Sequence, residues 1–313
     1  MSAISEIHQY LQISTKPKDL LQAQRIFHGR GHGYKDLNHI TIDWLPPVVL
    51  ITLFKTESHS VIEELANELL SLIPDCQSIQ VQHRYELSGP IDVLYGKGIQ
   101  KLSIRENDLR FHICLGQSRN TGLFLDMKNG RQWVQQNSSD KHVLNLFSYT
   151  CGFSVAAVAG NAKSVLNVDM SSPALTVGRE NHRLNQHSLN QVSFQKLNIF
   201  KSFSRLKKRG PFDLLICDPP TFQKGSVNIA QDYPKIIRRL DQFMSPGSSL
   251  LLCLNAPELG RDFLLNHMKM LAPRYSLIKE IKPPEVYVET ENKGLKVFYF
   301  KDCTNNKLEP HCQ

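Results

Sequence analysis

The sequence predicts an α/β protein in which a large doubly wound domain, built on a parallel sheet, follows a small α+β domain. Three observations support this prediction. The chain has 313 residues, which is more than one hydrophobic core usually serves. From residue 141 onward, short apolar runs alternate with amphipathic stretches, as is typical of parallel strands joined by helices. Apolar residues make up 41% of the chain, an ordinary share for a globular protein.

Residues 26–100 are predicted to form the small α+β domain, after an N-terminal extension at residues 1–25. Pro47–Phe54 is a continuous apolar run that predicts a strand, and Ser78–His83 alternates like another strand. Between them, Ser60–Ile73 carries apolar residues at helical spacing with acidic residues on the other face, which predicts an amphipathic helix.

A glycine-rich segment lies near the start of this domain, at residues 26–40. Its Gly-x-Gly-x-Gly pattern could cradle a phosphate, but no clear strand precedes it. A flexible surface loop is therefore the favoured interpretation.

Residues 101–302 are predicted to form the larger domain, and residues 303–313 a disordered tail. The domain opens with a hairpin around Glu106-Asn107-Asp108. Apolar runs predict the strands of its sheet at Val143–Phe147, Ser164–Asp169, Val192–Leu197, Asp213–Cys217 and Ser249–Leu254. Helices are predicted between them at 154–159, 172–185, 232–244 and 261–271. Residues 276–281 and 295–300 are predicted to pair as a closing hairpin.

Charge and cysteine content limit the possible partners and compartment. The formal net charge of +8 favours a polyanionic partner, but only modestly. The seven cysteines are scattered without a CxxC pair, which argues against a zinc site and favours reduced thiols. No signal peptide or membrane-spanning run is evident. We therefore expect a cytoplasmic protein without a metal or membrane partner, and the sequence leaves its oligomeric state open.

The stretch DLLICDPPTF at residues 213–222 is the most informative in the chain. Its apolar run predicts a buried strand, which ends at Asp218 because the two following prolines cannot donate ladder hydrogen bonds. The carboxylate of Asp218 and the ring of Phe222 are then held on a stiff loop at the carboxyl end of the strand. In open α/β sheets this is the edge where ligands bind.

The first strand-to-helix turn of the larger domain discriminates between cofactors. It reads NLFSYTCGFS (145–154) and has one glycine, Gly152, where a dinucleotide-binding fingerprint has three. A pyrophosphate needs close backbone approach, whereas S-adenosylmethionine (SAM) has no phosphate and can be held by one tight turn. The next strand ends at Asp169, where a carboxylate can accept hydrogen bonds from both ribose hydroxyls. The structural alternative for Asp169 is a cap for the following helix.

Several stretches carry a family resemblance: TGLFLDMKNGR (121–131), VLNLFSYTCGFS (143–154), NVDMS (167–171), ENHRLN (180–185) and FDLLICDPPTF (212–222). Together they resemble the SAM-dependent methyltransferases of large-subunit ribosomal RNA, a group that holds a guanine-N7 enzyme and a cytosine-C5 enzyme. The resemblance implies a class I, Rossmann-like methyltransferase fold, SAM as cofactor and RNA as partner. Residues 26–100 look like the small domain that precedes the catalytic domain in these enzymes, a candidate for RNA or substrate binding.

The resemblance also implies the residues of the site. The implied cofactor-binding residues are Phe124, Asp126, Asn145, Phe147, Tyr149, Gly152, Asp169, Met170, Asn198 and Asp218. The implied catalytic residues are Asp218, Pro219, Pro220 and Phe222, and those implied to bind substrate are Thr221, Phe222, Lys224 and Asn255. The chain departs from the family pattern at three of its positions, which are Cys151 for glycine, Lys128 for arginine and Asn198 for aspartate.

The residue types near the fifth strand bear on which base is methylated. Methylation at cytosine C5 needs a nucleophile that adds to C6, normally a cysteine thiolate. Asn255 stands where the cytosine enzymes have that cysteine, and Cys253 lies two residues earlier on the same face. Cys253 is inside an apolar run, so a buried core role is the favoured interpretation.

Asn255 and Thr221 match the guanine-N7 branch, so the resemblance implies direct methyl transfer to guanine N7, whose free lone pair needs no covalent intermediate. Asp218 would favour the positive charge growing on the purine, and Phe222 would stack on its face. Two alternatives stay open. One is a cytosine-C5 enzyme using Cys253. The other is a non-catalytic RNA-binding or assembly factor on the same fold, suggested by Cys151 and Asn198.

Overall fold

The computed structural model describes residues 19–220, 222–223, 227–256, 258–289 and 294–304. The chain divides into two compact units. Unit 1 combines Met1–Asp126 with Pro284–Glu291, and unit 2 combines Met127–Pro283 with Asn292–Gln313, as far as these ranges are described. The functional domain boundaries expected after residues 25, 100 and 302 stay a prediction.

Unit 1 is built on a five-stranded sheet in the order β1-β2-β3-β4-β5. Its strands are β1 (Gln24–His28), β2 (Ile40–Leu45), β3 (Val48–Leu53), β4 (Ser78–His83) and β5 (Ile91–Gly96). Strands β3 and β4 run parallel because helix α1 (His59–Leu72) carries the chain back between them. A hairpin of β6 (Lys101–Glu106) and β7 (Leu109–Cys114) turns at Asn107.

The strands predicted at 47–54 and 78–83, the helix predicted at 60–73 and the hairpin are confirmed. The expectation for the glycine-rich segment is wrong in one respect, because β1 precedes it. Its glycines lie against backbone: a Cβ at Gly29 would collide with the carbonyl oxygen of Leu37, and one at Gly31 with that of Val288. Close packing within unit 1 therefore explains these glycines.

Unit 2 is built on a seven-stranded sheet in the order β10-β9-β8-β11-β14-β16-β15. Its strands are β8 (His142–Leu146), β9 (Ser164–Asp169), β10 (Val192–Lys196), β11 (Phe212–Cys217), β14 (Met244–Leu254), β15 (Tyr275–Glu280) and β16 (Lys296–Asp302), with a short ladder of β12 (Phe222–Gln223) and β13 (Val227–Asn228) beside them. Strands β8 to β11 and β14 run parallel, and β16 runs antiparallel to both β14 and β15. The predicted doubly wound sheet and its closing hairpin are thus confirmed.

Helices connect and cover these strands. They are α2 (Lys128–Asn137), α3 (Gly152–Ala159), α4 (Ser172–Leu184), α5 (Phe203–Arg209), α6 (Ile229–Ile237), α7 (Leu240–Phe243) and α8 (Asp262–Leu271). The single helix predicted at 232–244 is wrong: α6 starts earlier and a separate α7 follows it. Asn228 sets the earlier start, because its Oδ1 accepts from the N–H of Gln231 while its own N–H donates to Asp232.

The order of the strands reverses between β8 and β11. From β8 the chain winds outward through β9 and β10, and from β11 it winds the other way through β14. A crevice forms at such a switch point, outside the carboxyl ends of the strands, and it is where ligands bind in sheets of this type. The fold therefore directs attention to the ends of β8, β9, β11 and β14.

Some sequence expectations concern the chain as a whole. Within the part of the chain that the structure describes, no helix has the length and hydropathy needed to cross a bilayer. The same residues contain no His, Cys, Asp and Glu cluster suited to a metal ion. Among the described residues, Cys76, Cys114, Cys151, Cys217 and Cys253 are free thiols, and the expectation of reduced thiols throughout the chain stays a prediction.

Candidate functional site

The turn between β8 and α3 has an unusual backbone. Phe147, Tyr149 and Cys151 all adopt positive φ angles, of 56°, 46° and 62°. Such angles are uncommon for residues other than glycine, and they persist only where the surroundings hold them. The turn is therefore shaped by its neighbours, and these neighbours identify the site.

Asp169, at the end of β9, fixes this turn. Its Oδ2 accepts a hydrogen bond from the backbone N–H of Tyr149 at 2.8 Å, and its Oδ1 accepts from the N–H of Ser171 at 2.7 Å. Ser171, rather than Asp169, caps α4 through its side chain. Each carboxylate oxygen keeps a second lone pair, so Asp169 can hold the turn and still accept from a ribose hydroxyl.

Cys151, the departure from the family's glycine, is accommodated by a glycine elsewhere. Its side chain is fully buried, and burial raises the pKa of its thiol to about 12. A Cβ at Gly178, on α4, would collide with the Cys151 Sγ. The two positions therefore share one space, which the cysteine fills because residue 178 has no side chain.

A chain of buried polar side chains lies beneath the turn. Asn145 donates to Asn167 at 2.9 Å, and Asn167 donates to the Ser154 Oγ at 2.9 Å. That oxygen also lies 2.9 Å from Nε2 of His182. Burial, with a smaller contribution from His187, lowers the pKa of His182 to about 3, so its ring is neutral near pH 7. Asn145 is thus part of the scaffold that joins β8, β9, α3 and α4, and its predicted cofactor contact stays a prediction.

The other predicted cofactor residues of unit 2 surround the same strand ends. Gly152 begins α3 directly after the turn. The ring of Phe147 lies 6.1 Å from that of Phe200, and Met170 is 45% exposed. The Oδ1 of Asn198 accepts from the N–H of Lys201 at 3.2 Å. That oxygen has a second lone pair, so the capping bond leaves an acceptor role toward adenine open.

Phe124 and Asp126 belong to unit 1, where both line a cavity that also contains arginine side chains. The sequence resemblance places them near the cofactor, and this placement stays a prediction.

Asp218 directly follows β11, the strand next to β8 at the switch point. Its side chain is partly buried, Pro219 is buried and Pro220 is exposed. Phe222 starts β12, where its backbone pairs with Asn228. Thr221 and Lys224 lie outside the described residues. The predicted catalytic carboxylate is therefore at the same sheet edge as Asp169.

Tyr233 is a site-supporting residue that has no place in the sequence prediction. Its hydroxyl lies 3.1 Å from the carbonyl oxygens of both Cys217 and Cys253, so it ties the end of β11, which Asp218 directly follows, to the end of the neighbouring strand β14. The sequence signal for such a residue is a tyrosine on the apolar face of a helix, because a buried hydroxyl needs a hydrogen-bond partner.

The thiols near this edge are deep in the sheet. Cys217 and Cys253 are fully buried, and burial raises the pKa of the Cys217 thiol far above its ordinary value. Asn255, just past the end of β14, is exposed. The polar side chain that follows the end of β14 is thus the amide of Asn255.

The donor set fits SAM. A tight turn suits an amino-acid moiety, and a carboxylate at the end of the next strand suits a ribose diol. The turn has no run of glycines of the kind a pyrophosphate requires. Asp169 and the turn at 147–151 are the residues that would hold this cofactor.

Comparisons with known proteins bear on the family and the fold. The sequence profile of the S-adenosylmethionine-dependent methyltransferase family matches residues 24–301. Ribosomal RNA large subunit methyltransferase I of Aeromonas salmonicida is 29% identical over 222 residues, which are 68% of this chain and 56% of that protein. The protein of the same name from Erwinia tasmaniensis is 29% identical over 262 residues, which are 80% of this chain and 64% of that protein. The chain therefore spans less than two thirds of the length of these relatives.

Solved structures support the fold. The structure of SMU.776 complexed with SAH has a TM-score of 0.85 at 22% identity, and the match covers 95% of this chain and 81% of that one. The SAM-dependent methyltransferase from Agrobacterium tumefaciens has a TM-score of 0.66 at 16% identity, covering 85% of this chain and 88% of that one. On the profile match, which extends over most of its length, the chain belongs to the S-adenosylmethionine-dependent methyltransferase family.

Proposed function

We propose that the protein is a SAM-dependent methyltransferase that acts on ribosomal RNA of the large subunit. The observation that carries the proposal is that two candidate sites lie next to each other at one edge of the sheet. The turn anchored by Asp169 follows β8, and the Asp218 loop follows β11, the adjacent strand. The names of the relatives from Aeromonas salmonicida and Erwinia tasmaniensis support RNA as the substrate.

The chemistry divides between cofactor and protein. Bound SAM supplies a methyl group on a positively charged sulfur. Asp169 would accept from the ribose, and the turn at 147–151 would hold the amino-acid end. Asp218 lies on a stiff loop, after the end of β11 and before two prolines. Its carboxylate would accept a hydrogen bond from the edge of the target base and fix the base in line with the methyl group.

The relatives bear on the methylated atom. They do not support the expected guanine-N7 branch, and they favour the alternative, methylation of cytosine C5. In that chemistry a thiolate adds to C6, C5 takes the methyl group, and loss of the C5 proton releases the thiolate. Cys253 is the candidate nucleophile at this edge. Because it is fully buried, its thiolate would reach a base only when the end of β14 opens.

Nucleoside analysis tests this proposal. Ribosomal RNA from a strain lacking the gene is incubated with SAM and the protein, digested and analysed by mass spectrometry. We expect 5-methylcytidine with the wild type and none with Cys253→Ala. Cys217→Ala is the matched control, because Cys217 is equally buried on the neighbouring strand.

Each other result is informative. Product that persists in Cys253→Ala, or 7-methylguanosine in place of 5-methylcytidine, contradicts the cytosine-C5 assignment. No methylated nucleoside from a protein that binds SAM contradicts the enzymatic function and favours a non-catalytic RNA factor.

A further inference from the structure

Unit 1 contains a cavity that the proposed chemistry does not use. Its volume is about 120 Å³. Arg25, Arg84 and Arg119 line it together with the polar residues Thr41, Thr52, Gln82 and Asn120, and leucine and phenylalanine residues, Phe124 among them, form much of the rest of the wall. A small cavity with several guanidinium groups is a candidate site for an anion.

Arg25 is balanced by its neighbours. It forms a two-point ion pair with Asp43, with N–O distances of 2.5 and 3.0 Å. Its Nη1 lies 2.7 Å from Nδ1 of His28, and burial together with the charge of Arg25 lowers the pKa of that imidazole to about 3. His28 is therefore a neutral acceptor, and Arg25 is a fixed part of the wall rather than a free ligand for an anion.

Arg84 and Arg119 are oriented without being neutralised. Arg84 donates to the side-chain oxygen of Asn120 at 2.9 Å, and Arg119 donates to the carbonyl oxygens of Arg84 and Glu86 at 2.9 and 3.2 Å. Among the residues that the structure describes, neither guanidinium forms an ion pair with a carboxylate. Neutral acceptors thus hold both guanidinium groups in place and leave the positive charges of these groups without a balancing carboxylate.

A further arginine adds to this charge. The guanidinium of Arg30 lies 4.2 Å from the centre of the Phe54 ring, and that of Arg84 lies 5.5 Å from the same ring. Partial burial, and then the charges of Arg119, Arg30 and Arg25, lower the pKa of Arg84. Like charges this close repel one another, and a bound anion would relieve that repulsion.

The charge balance indicates the kind of anion. Arg25 and Asp43 cancel, and the other carboxylate that lines the cavity is Asp126. Arg84, Arg119 and nearby Arg30 leave a surplus of positive charge that a phosphodiester can match. Planar guanidinium forks suit phosphate oxygens, which accept two parallel N–H bonds.

We propose that this cavity in unit 1 binds a backbone phosphate of the RNA substrate through Arg84 and Arg119. The assignment of the phosphate to RNA rests on the proposed function; the anion site itself rests on the arginines. The site would position the RNA backbone and carry no sequence information, since phosphate contacts fix register rather than identity.

The test measures how salt weakens RNA binding. A short fluorescein-labelled single-stranded oligoribonucleotide is titrated with protein at increasing KCl, and fluorescence anisotropy gives the affinity. Removing one phosphate-binding group lowers the slope of log affinity against log salt by about 0.7. We expect that decrease for Arg84→Met and for Arg119→Met, with weaker binding at low salt. Arg84→Lys keeps the charge and should retain the slope while losing part of the affinity.

The control variant is Arg105→Met, an exposed arginine of β6 in the same unit that pairs with Asp108. It changes the net charge equally and should leave the slope unchanged. Circular dichroism and thermal melting verify that each variant is folded.

The outcomes separate the two proposals. Equal slopes for wild type, Arg84→Met and Arg119→Met overturn the phosphate site. Inorganic phosphate that raises the melting temperature of the wild type only, with RNA slopes unchanged, shows a site for free phosphate and overturns its assignment to RNA. Reduced slopes together with an absence of methyl transfer support the phosphate site and contradict the proposed function alone.

Discussion

The backbone N–H of Tyr149 donates a 2.8 Å hydrogen bond to the carboxylate of Asp169. This bond joins the turn after β8 to the end of β9, so one side chain both shapes the candidate cofactor site and is available to the ligand. Positive φ angles at Phe147, Tyr149 and Cys151 depend on such support.

Asp169→Asn should weaken SAM binding strongly. One carboxylate oxygen becomes an amide nitrogen, so a backbone N–H of the turn loses its acceptor and the ribose loses a charged one. A charge-assisted hydrogen bond contributes about 1.5–3 kcal/mol, which corresponds to a roughly ten- to hundredfold rise in Kd. Isothermal titration calorimetry measures the Kd for SAM.

The control is Asp140→Asn, in an exposed turn where asparagine also tolerates positive φ. An unchanged Kd in Asp169→Asn would remove this residue from the site.

Gly178→Ala should destabilise the protein through a single clash. The added Cβ would overlap the Sγ of Cys151, and overpacking of this kind costs about 1–3 kcal/mol. Adding Cys151→Gly should restore most of the stability, since it removes the sulfur and suits the positive φ at that position. Urea denaturation of the wild type, the two single variants and the double variant gives the coupling free energy between residues 151 and 178. Strictly additive effects would show that the two side chains do not compete for space.

Tyr233→Phe should lower the rate of methyl transfer by more than its effect on stability can explain. The hydroxyl ties the end of β11, which Asp218 follows, to the end of β14, and its loss leaves two buried carbonyl groups without this donor. Tyr275→Phe is the control, because its buried hydroxyl also bonds Ser248 and Arg274 but lies away from this edge. Both variants should lose about 1–2 kcal/mol of stability. Only Tyr233→Phe should reduce kcat, with little change in KM for SAM, and equal kcat values would contradict a positioning role.

Acid should destabilise unit 2 through His182. The folded pKa of about 3 lies below the ordinary value of 6.5, so the unfolded chain binds the proton more readily. This stabilisation is complete above pH 6.5 and is lost as the pH falls from 6.5 toward 3. His182→Gln should make the loss between pH 6.5 and 5 smaller by about 1–2 kcal/mol. The measurement is urea unfolding at each pH, with the exposed His59→Gln as control. Parallel pH profiles for wild type and His182→Gln would contradict the burial of a neutral imidazole.

The sequence predicts the sheet of unit 2 well because each strand there is a short apolar run between polar turns. It predicts unit 1 less completely, since the strands β1, β2 and β5 lack such clear boundaries. Gly31 illustrates the reason: its backbone packs against the carbonyl group of Val288, which is distant in sequence. Long-range packing of this kind leaves no local pattern.

The residues of the candidate site are likewise predictable only where the sequence carries a local pattern. Asp169 and Asp218 are recognisable because each directly ends an apolar strand. Tyr233 is harder to recognise, since its hydroxyl bonds two carbonyl groups that only the folded sheet brings together. The compensation of Cys151 by Gly178 is equally invisible in sequence, because the two residues lie on different elements.

Methyl transfer to RNA tests the central claim most directly. Ribosomal RNA from a strain lacking the gene is incubated with radiolabelled SAM and with the wild type, Asp218→Ala or the exposed control Asp241→Ala. The proposed function predicts label in the RNA with the wild type and with Asp241→Ala, and none with Asp218→Ala. Label that persists with Asp218→Ala, or no label from a wild-type protein that binds SAM, would contradict it.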